Sequence, residues 1–186
     1  MLLMGLNKYP DEARIIGRLL AGYSELEFLI SMCLTAVLDA DIHTAVRVMF
    51  RTRGEEQRLE IADALMRHKF DAAHLTGPYC EAIKDAGWCR RIRNQFAHCH
   101  FDGQNDDGLR IVRLEDSAKL PAGDTSVTRI LVSLELLQSQ EDYFAYVLDC
   151  LAYLHREYQK RVGQIASHAY ALPKKIARPP LNSAAG

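Results

Sequence analysis

The feature that most constrains the fold is a long segment, from Pro10 to about Leu38, in which apolar residues recur with the period of an α-helix. Its start, Pro10-Asp11-Glu12, combines a proline with acidic residues, which is typical of a first helical turn. After Leu26 the predicted helix is apolar around much of its circumference, so other elements must pack against it. The most apolar stretch, Phe28 to Leu38, is too short to span a bilayer. We therefore expect the central helix of a bundle and no membrane segment.

Two further helices are expected after this one. Asp41 is suited to cap a short helix over Thr44–Arg51, and Gly54 is expected to break that helix. A helix from Glu55 follows, because apolar residues again recur with helical spacing.

Gly77-Pro78 indicates a loop before the next helix, which is expected to end near His98. Gly87 lies inside that helix and favours a break in it, because glycine lowers helix propensity.

Between about residues 99 and 133 the pattern changes from helical to extended. The stretch from Phe101 to Gly108 is rich in turn residues. Two runs rich in β-branched residues, Leu109–Leu114 and Val127–Val132, flank a loop that holds Pro121-Ala122-Gly123. They predict a small antiparallel β-hairpin inserted into an otherwise helical chain.

Helical periodicity returns from about Leu136, and either Ser139 followed by Asp142 caps this helix or the helix begins earlier, near Ser133. From Pro173 the sequence is polar and proline-rich, so residues 173–186 are expected to be a disordered tail. The overall prediction is an all-α chain, with one helical domain over residues 1–172 that carries the hairpin.

Composition excludes several classes of function. Lys and Arg number 23 and Asp and Glu 24, so the molecule as a whole offers no basic field to nucleic acid. The five cysteines are odd in number and contain no CxxC pair, which favours reduced thiols. The apolar N-terminus is too short for a signal peptide, so we expect a soluble, cytoplasmic protein. No P-loop, GxGxxG, HExxH or GxSxG motif is present.

The densest set of chemically capable side chains is the run Arg90-Arg91-Ile92-Arg93-Asn94-Gln95-Phe96-Ala97-His98. On a helix, Cys89, Ile92 and Phe96 share one face, which predicts the core side. The other face carries Arg90, Arg91, Asn94 and His98, with Arg93 between the two faces. A neutral His can accept the proton of a ribose 2′-OH, and a guanidinium can hold the phosphate. This set therefore suits metal-independent cleavage of RNA.

Arg93-Asn94-x-x-Ala97-His98 resembles the R-x4–6-H motif of the HEPN superfamily. The resemblance implies a HEPN-like helical bundle that forms a homodimer, in which two motifs meet at a cleft as one composite endoribonuclease site. It implies that Arg93 positions the scissile phosphate, that His98 is the general base or acid, and that Asn94 supports them. Arg90 and Arg91 would extend the phosphate track. Because Arg93 and His98 are five residues apart, a helix bend or a second subunit must bring them together.

Other interpretations remain open. The chain could be a non-catalytic HEPN-like module that binds RNA, nucleotide or a protein partner, such as the antitoxin protein of a toxin–antitoxin or defence system. It could also be a purely structural helical dimer. His98-Cys99-His100 with Cys89 does not match a zinc spacing, so no metal and no cofactor are expected.

Two more groups of residues have alternative roles. Glu27 could pair with an Arg of the motif helix or lie exposed on its own helix. Four tyrosines of the last helix could stack on RNA bases or pack against the bundle, and these are Tyr143, Tyr146, Tyr153 and Tyr158.

Overall fold

The structure is a computed structural model that describes residues 4–102, 108–113, 118–119 and 128–182. Most of these residues are helical. The helices are α1 Met4–Asn7, α2 Pro10–Leu38, α3 Ile42–Phe50, α4 Glu55–Ala72, α5 Thr76–Ala97 and α6 Leu134–Arg161; the strands are β1 Cys99–Asp102, β2 Leu109–Arg113 and β3 Ile130–Val132. The predicted loop at Pro121-Ala122-Gly123 lies outside the described residues.

The first three long helices begin close to the residues that the sequence predicts. Helix α2 has the predicted bounds. Asp41 caps α3, because its Oδ1 accepts a 3.1 Å hydrogen bond from the backbone N–H of Thr44. Gly54 precedes α4 with φ of 96°, a left-handed conformation that favours glycine, and α4 begins at Glu55 as predicted.

The prediction of a loop at Gly77-Pro78 was wrong, because α5 begins at Thr76 and includes both residues in its first turn. A proline is tolerated there, since the first N–H groups of a helix have no intrahelical acceptor. Gly87 does not interrupt α5 either. A Cβ at that position would make an ordinary contact, 3.7 Å from Cδ2 of Leu59.

The β element is a three-stranded antiparallel sheet in the order β1-β2-β3, and not the predicted two-stranded hairpin. The strand that the sequence missed is β1, which pairs Cys99 with Arg113 and Asp102 with Arg110. It was overlooked because it has only four residues and runs into a turn-rich stretch. Strand β2 in turn pairs Leu109 with Val132 of β3.

Helix α6 begins at Leu134, which confirms the earlier of the two predicted starts. The Oγ of Ser133 accepts a 3.2 Å hydrogen bond from the backbone N–H of Leu136, as an N-cap does.

The chain packs as two compact units rather than around one centre. Unit 1 comprises Met1–Gly22, Arg91–Tyr143 and Ala177–Gly186, and unit 2 comprises Tyr23–Arg90 and Phe144–Ile176. Three of the four boundaries fall inside helices, at α2, α5 and α6, and the fourth follows Ile176.

Each unit buries its own apolar side chains. Those of unit 1 include Ile15, Ile16, Leu19, Ile92, Phe96, Leu109, Ile111, Val132 and Leu137. Those of unit 2 include Leu26, Ile30, Leu34, Met49, Met66, Phe70, Tyr79, Cys89, Val147 and Leu154. In unit 2 the ring of Phe70 stacks on Tyr79, with centroids 4.4 Å apart.

As a whole, α2 is long and apolar enough to cross a membrane, although its part from Phe28 is too short on its own. Half of its most apolar 18-residue window is buried inside the molecule. Core helices of soluble proteins have the same length and composition, so this burial is in line with the predicted central helix.

The C-terminal segment was expected to be disordered. The structure describes it as far as Asn182, without regular secondary structure but with hydrogen bonds to the rest of the chain. Lys175 contacts Glu81 in unit 2, and the carbonyl of Pro180 accepts a hydrogen bond from Gln140 in unit 1. Residues 183–186 lie outside the described residues.

Candidate functional site at the end of helix α5

The last turns of α5 present the motif residues on the predicted faces. Ile92 and Phe96 are buried in the core of unit 1, whereas Arg91 and His98 are exposed. Arg93 and Asn94 are half-buried at the border between the two faces. The apolar residues thus anchor this end of the helix, and the polar ones remain accessible to a ligand.

The structure brings Arg93 and Asn94 into direct contact. Nη1 of Arg93 donates a 3.0 Å hydrogen bond to Oδ1 of Asn94. A guanidinium carries five N–H donors in a fixed planar arrangement that suits a phosphate. The contact with Asn94 helps to fix the direction of this long side chain.

Helix α5 ends at Ala97, and His98 directly follows it. Its backbone N–H donates to the carbonyl of Asn94 at 3.2 Å, and β1 starts at the next residue. The helical hydrogen bonds of α5 thus continue to His98, and its ring lies at the junction between helix and sheet.

Arg90 belongs to unit 2, on the other side of the unit boundary from Arg91. Its Nη2 lies 3.0 Å from Oε1 of Glu56, and it lines a cavity of about 250 Å³. Glu56, Glu60 and Asp63 line the same cavity, together with Leu59, Ile83, Lys84 and Gly87. Three carboxylates disfavour a phosphate at this point, which favours a structural role for Arg90.

Glu27 adopts neither of the arrangements that the sequence suggested. It is buried, and its partner is Arg58 of α4, not an Arg of the motif helix. Nη1 of Arg58 lies 2.6 Å from Oε1 of Glu27, and the guanidinium lies over the ring of Phe50 at 4.8 Å. This pair holds α2 to α4 within unit 2.

Gln95 is a residue of this region that the sequence did not single out. It is buried, and its Oε1 accepts a 3.3 Å hydrogen bond from Nη2 of Arg113. Arg113 lies opposite Cys99 in the sheet, and Cys99 directly follows His98. A polar residue between the apolar positions 92 and 96 is the signal that could have indicated it.

The sheet carries further charge close to this junction. Nε of Arg129 lies 2.7 Å from Oδ2 of Asp102, whose side chain is largely buried, and Arg110 lies opposite Asp102 in the register. At the helix-to-sheet junction, burial raises the pKa of the Cys99 thiol to about 11, so this thiol is protonated at neutral pH.

Burial distinguishes the roles of the tyrosines in α6. Tyr143 and Tyr158 are buried, and the Tyr158 ring packs 4.9 Å from that of Phe70. For these two the packing role is the one observed. Tyr146 and Tyr153 are partly accessible.

In the part of the chain that the structure describes, no three His, Cys, Asp or Glu side chains converge in the way a metal site requires. His98 and His100 are both exposed.

No protein-family model matches the chain, and no curated protein or solved structure is detectably similar to it. The resemblance to the HEPN superfamily therefore depends on the motif residues and on the helical character of the chain.

Proposed function

We propose that this protein is a metal-independent endoribonuclease of HEPN type, with Arg93, Asn94 and His98 as its site. One observation carries the proposal: Arg93 and Asn94 are joined by a hydrogen bond, and His98 is exposed at the end of the same helix. Arg91, exposed on the same turns, adds positive charge to this surface.

The proposed chemistry is an internal transfer at phosphorus. His98 accepts the proton of the ribose 2′-OH, and the 2′-oxygen attacks the adjacent phosphorus. The bond from phosphorus to the 5′-oxygen breaks, and the leaving oxygen takes up a proton from an acid. The products are a 2′,3′-cyclic phosphate and a 5′-OH, and Arg93 stabilises the charge that develops on the phosphate.

This reaction needs both a base and an acid, whereas the motif supplies one His98 in each chain. A homodimer would place two copies of the motif at one cleft, so that one His98 acts as the base and the other as the acid. A second copy would also bring another pair of Arg93 and Asn94, which suits a chain without a basic field of its own.

The competing proposal is a HEPN-like module that binds RNA or a partner protein without cutting. The observation that favours it is that Arg90 already pairs with Glu56 and Arg93 already donates to Asn94. Fewer guanidinium donors then remain for the transition state than the motif alone suggests.

Incubation of single-stranded RNA with the purified protein in EDTA distinguishes the two proposals. We expect cleavage by the wild type and a loss of about 10²–10⁴-fold in His98→Ala and Arg93→Ala. The matched controls are His43→Ala and Arg14→Ala, which remove an exposed His and an exposed Arg elsewhere and should cut normally. Cleavage that persists in His98→Ala would disprove the nuclease proposal. Binding without cleavage, lost in Arg93→Ala, would support the module instead.

The composite site has its own test. The wild type and His98→Ala are mixed in varying proportion, with subunits allowed to exchange. If both copies of His98 act at one cleft, cleavage should fall with the square of the wild-type fraction. If cleavage falls in direct proportion to the wild-type fraction, each subunit acts alone and the two motifs do not share one site.

A further inference from the structure

Polar side chains of unit 1 hold the C-terminal segment Arg178–Asn182. Gln140 of α6 is fully buried, and its Nε2 donates to the carbonyls of Pro180 and Leu181 at 2.9 and 3.3 Å. Nε of Arg178 lies 3.4 Å from the hydroxyl of Tyr143. The segment is thus held by side-chain contacts and has no regular secondary structure of its own.

Asn182 ends this contact on Arg113. Nη2 of Arg113 donates a 2.6 Å hydrogen bond to Oδ1 of Asn182 and a longer one, 3.3 Å, to Oε1 of Gln95. One N–H group of the Arg113 guanidinium is therefore held by a neutral amide from the C-terminal segment. An ionised phosphate oxygen would be a stronger acceptor for the same N–H group.

The segment does not provide hydrogen-bond partners for every buried polar atom of the side chains around it. Nε2 of Gln95 and Oε1 of Gln140 are buried and have no hydrogen-bond partner among the described residues. Both side chains are more than nine-tenths buried. Buried polar atoms without partners are costly, so the hold of the segment is weaker than its contacts suggest.

The covered guanidinium belongs to the same end of α5 as the proposed site. Gln95 directly follows Asn94 and lies three residues before His98, a spacing at which residues of a helix are neighbours. Arg113 lies opposite Cys99, the residue after His98. Release of Asn182 would make the N–H group of Nη2 that it holds available to another acceptor.

We propose that residues 178–182 form a displaceable strap and that Arg113, which Asn182 covers, is a further phosphate-binding residue of the Arg93–Asn94–His98 site. The inference rests on the proposed function, since it takes RNA as the ligand that competes with the strap. RNA binding and strap release then favour each other, because a phosphate oxygen replaces Oδ1 of Asn182 on the same N–H group.

The test measures the affinity of the full chain for a fluorescent single-stranded 2′-O-methyl RNA by anisotropy. This probe has no 2′-OH, so the proposed cleavage cannot consume it. Asn182→Ala and Gln140→Leu each remove one hold on the strap, at different places, and both should bind several-fold more tightly. The slope of log affinity against log salt should be shallower by about 0.7 in Arg113→Gln, the value for one lost phosphate contact on a single strand.

Asn182→Asp is the matched opposite. Its carboxylate would pair with Arg113 more strongly than the amide does, so it should bind RNA more weakly than the wild type. Ser167→Ala, an exposed change in the same C-terminal stretch, should leave affinity unchanged. In Arg113→Gln, adding Asn182→Ala should give no further gain, because the residue that the strap covers is gone.

The outcomes separate the two proposals. If RNA binds and Asn182→Ala and Gln140→Leu both equal the wild type, the strap is disproved and the proposed function stands. If Asn182→Asp binds more tightly than Asn182→Ala, the covering role of Asn182 is likewise disproved. If neither the wild type nor the released variants bind RNA, both proposals are overturned. Melting curves identify any variant that fails to fold, and the remaining release variant then decides.

Discussion

Arg58 of α4 and Glu27 of α2 form an ion pair in the interior of unit 2, with Nη1 and Oε1 2.6 Å apart. The side chain of Glu27 is 9% exposed and that of Arg58 is 20% exposed. Such a pair contributes less than its Coulomb energy suggests, because both charges lose their hydration. Removing only one of the two residues is costly, because the charge of the other is then left buried without its partner.

We therefore expect Glu27→Ala to lower the free energy of unfolding by about 2–3 kcal/mol, somewhat less than for a fully buried pair because Arg58 keeps some solvent. Urea denaturation measures the change. Glu25→Ala removes an exposed carboxylate from the same helix and should change stability by less than about 0.5 kcal/mol. Equal effects of the two variants would contradict the importance of the pair.

A second prediction concerns Asn94, whose Oδ1 accepts a hydrogen bond from Arg93. In Asn94→Asp the new carboxylate would bind the same guanidinium more strongly and would repel a phosphate. We expect the affinity for single-stranded RNA to fall by about tenfold or more, which corresponds to about 1.4 kcal/mol. Gln138→Glu adds the same charge at an exposed position of α6 and should change affinity much less. A comparable loss in both variants would mean that the effect is only one of net charge.

The third prediction is a loss of stability in acid that depends on His155. Burial, with a smaller contribution from the charge of Arg156, lowers the pKa of this residue from 6.5 to about 4. The unfolded chain therefore binds a proton between about pH 6.5 and 4 that the folded chain does not bind. This contribution to the free energy of unfolding is fully present above pH 6.5 and is lost as the pH falls through this window, with a size on the order of 3 kcal/mol.

Unfolding experiments at a series of pH values test this dependence. His155→Leu keeps an apolar side chain of similar volume in the core and should flatten the curve between pH 6.5 and 4. His43→Gln, at an exposed position, should keep the slope of the wild type. If His155→Leu retains the full slope, other groups cause the acid sensitivity.

The fourth prediction concerns the reactivity of the cysteines in the folded protein. Cys80 is half-buried, whereas burial raises the pKa of Cys33 to about 12 and that of Cys99 to about 11. At pH 8 only about one Cys99 thiol in a thousand would be ionised, and the thiolate is the reactive form. Iodoacetamide should therefore label Cys80 first, as mass spectrometry of the peptides can show.

Cys80→Ser should remove this rapid labelling without exposing the other thiols. In urea all five cysteines should react, because unfolding removes the burial that protects them. Labelling of Cys33 in the native protein as fast as that of Cys80 would contradict the packing of α2 in unit 2.

Local signals in the sequence were sufficient for most of the helical part of the fold. The bounds of α2, the cap at Asp41 and the start of α6 after Ser133 each depend on interactions among neighbouring residues. The faces of α5 could be predicted as well, because helical geometry alone separates Ile92 and Phe96 from the polar residues. The same local reasoning failed at Gly77-Pro78, where a loop signal also fits a first helical turn.

By itself, then, the sequence determined that the chain is mainly helical and that Arg93, Asn94 and His98 share one end of a helix. Only the tertiary structure decided that Glu27 pairs with Arg58, that β1 joins the sheet, and that Asn182 covers Arg113. These partners are separated by 31 residues in the ion pair and by 69 in the contact of the C-terminal segment. Capping and periodicity act over a few residues, whereas such distant contacts depend on how whole elements pack, and no short stretch of sequence specifies that packing.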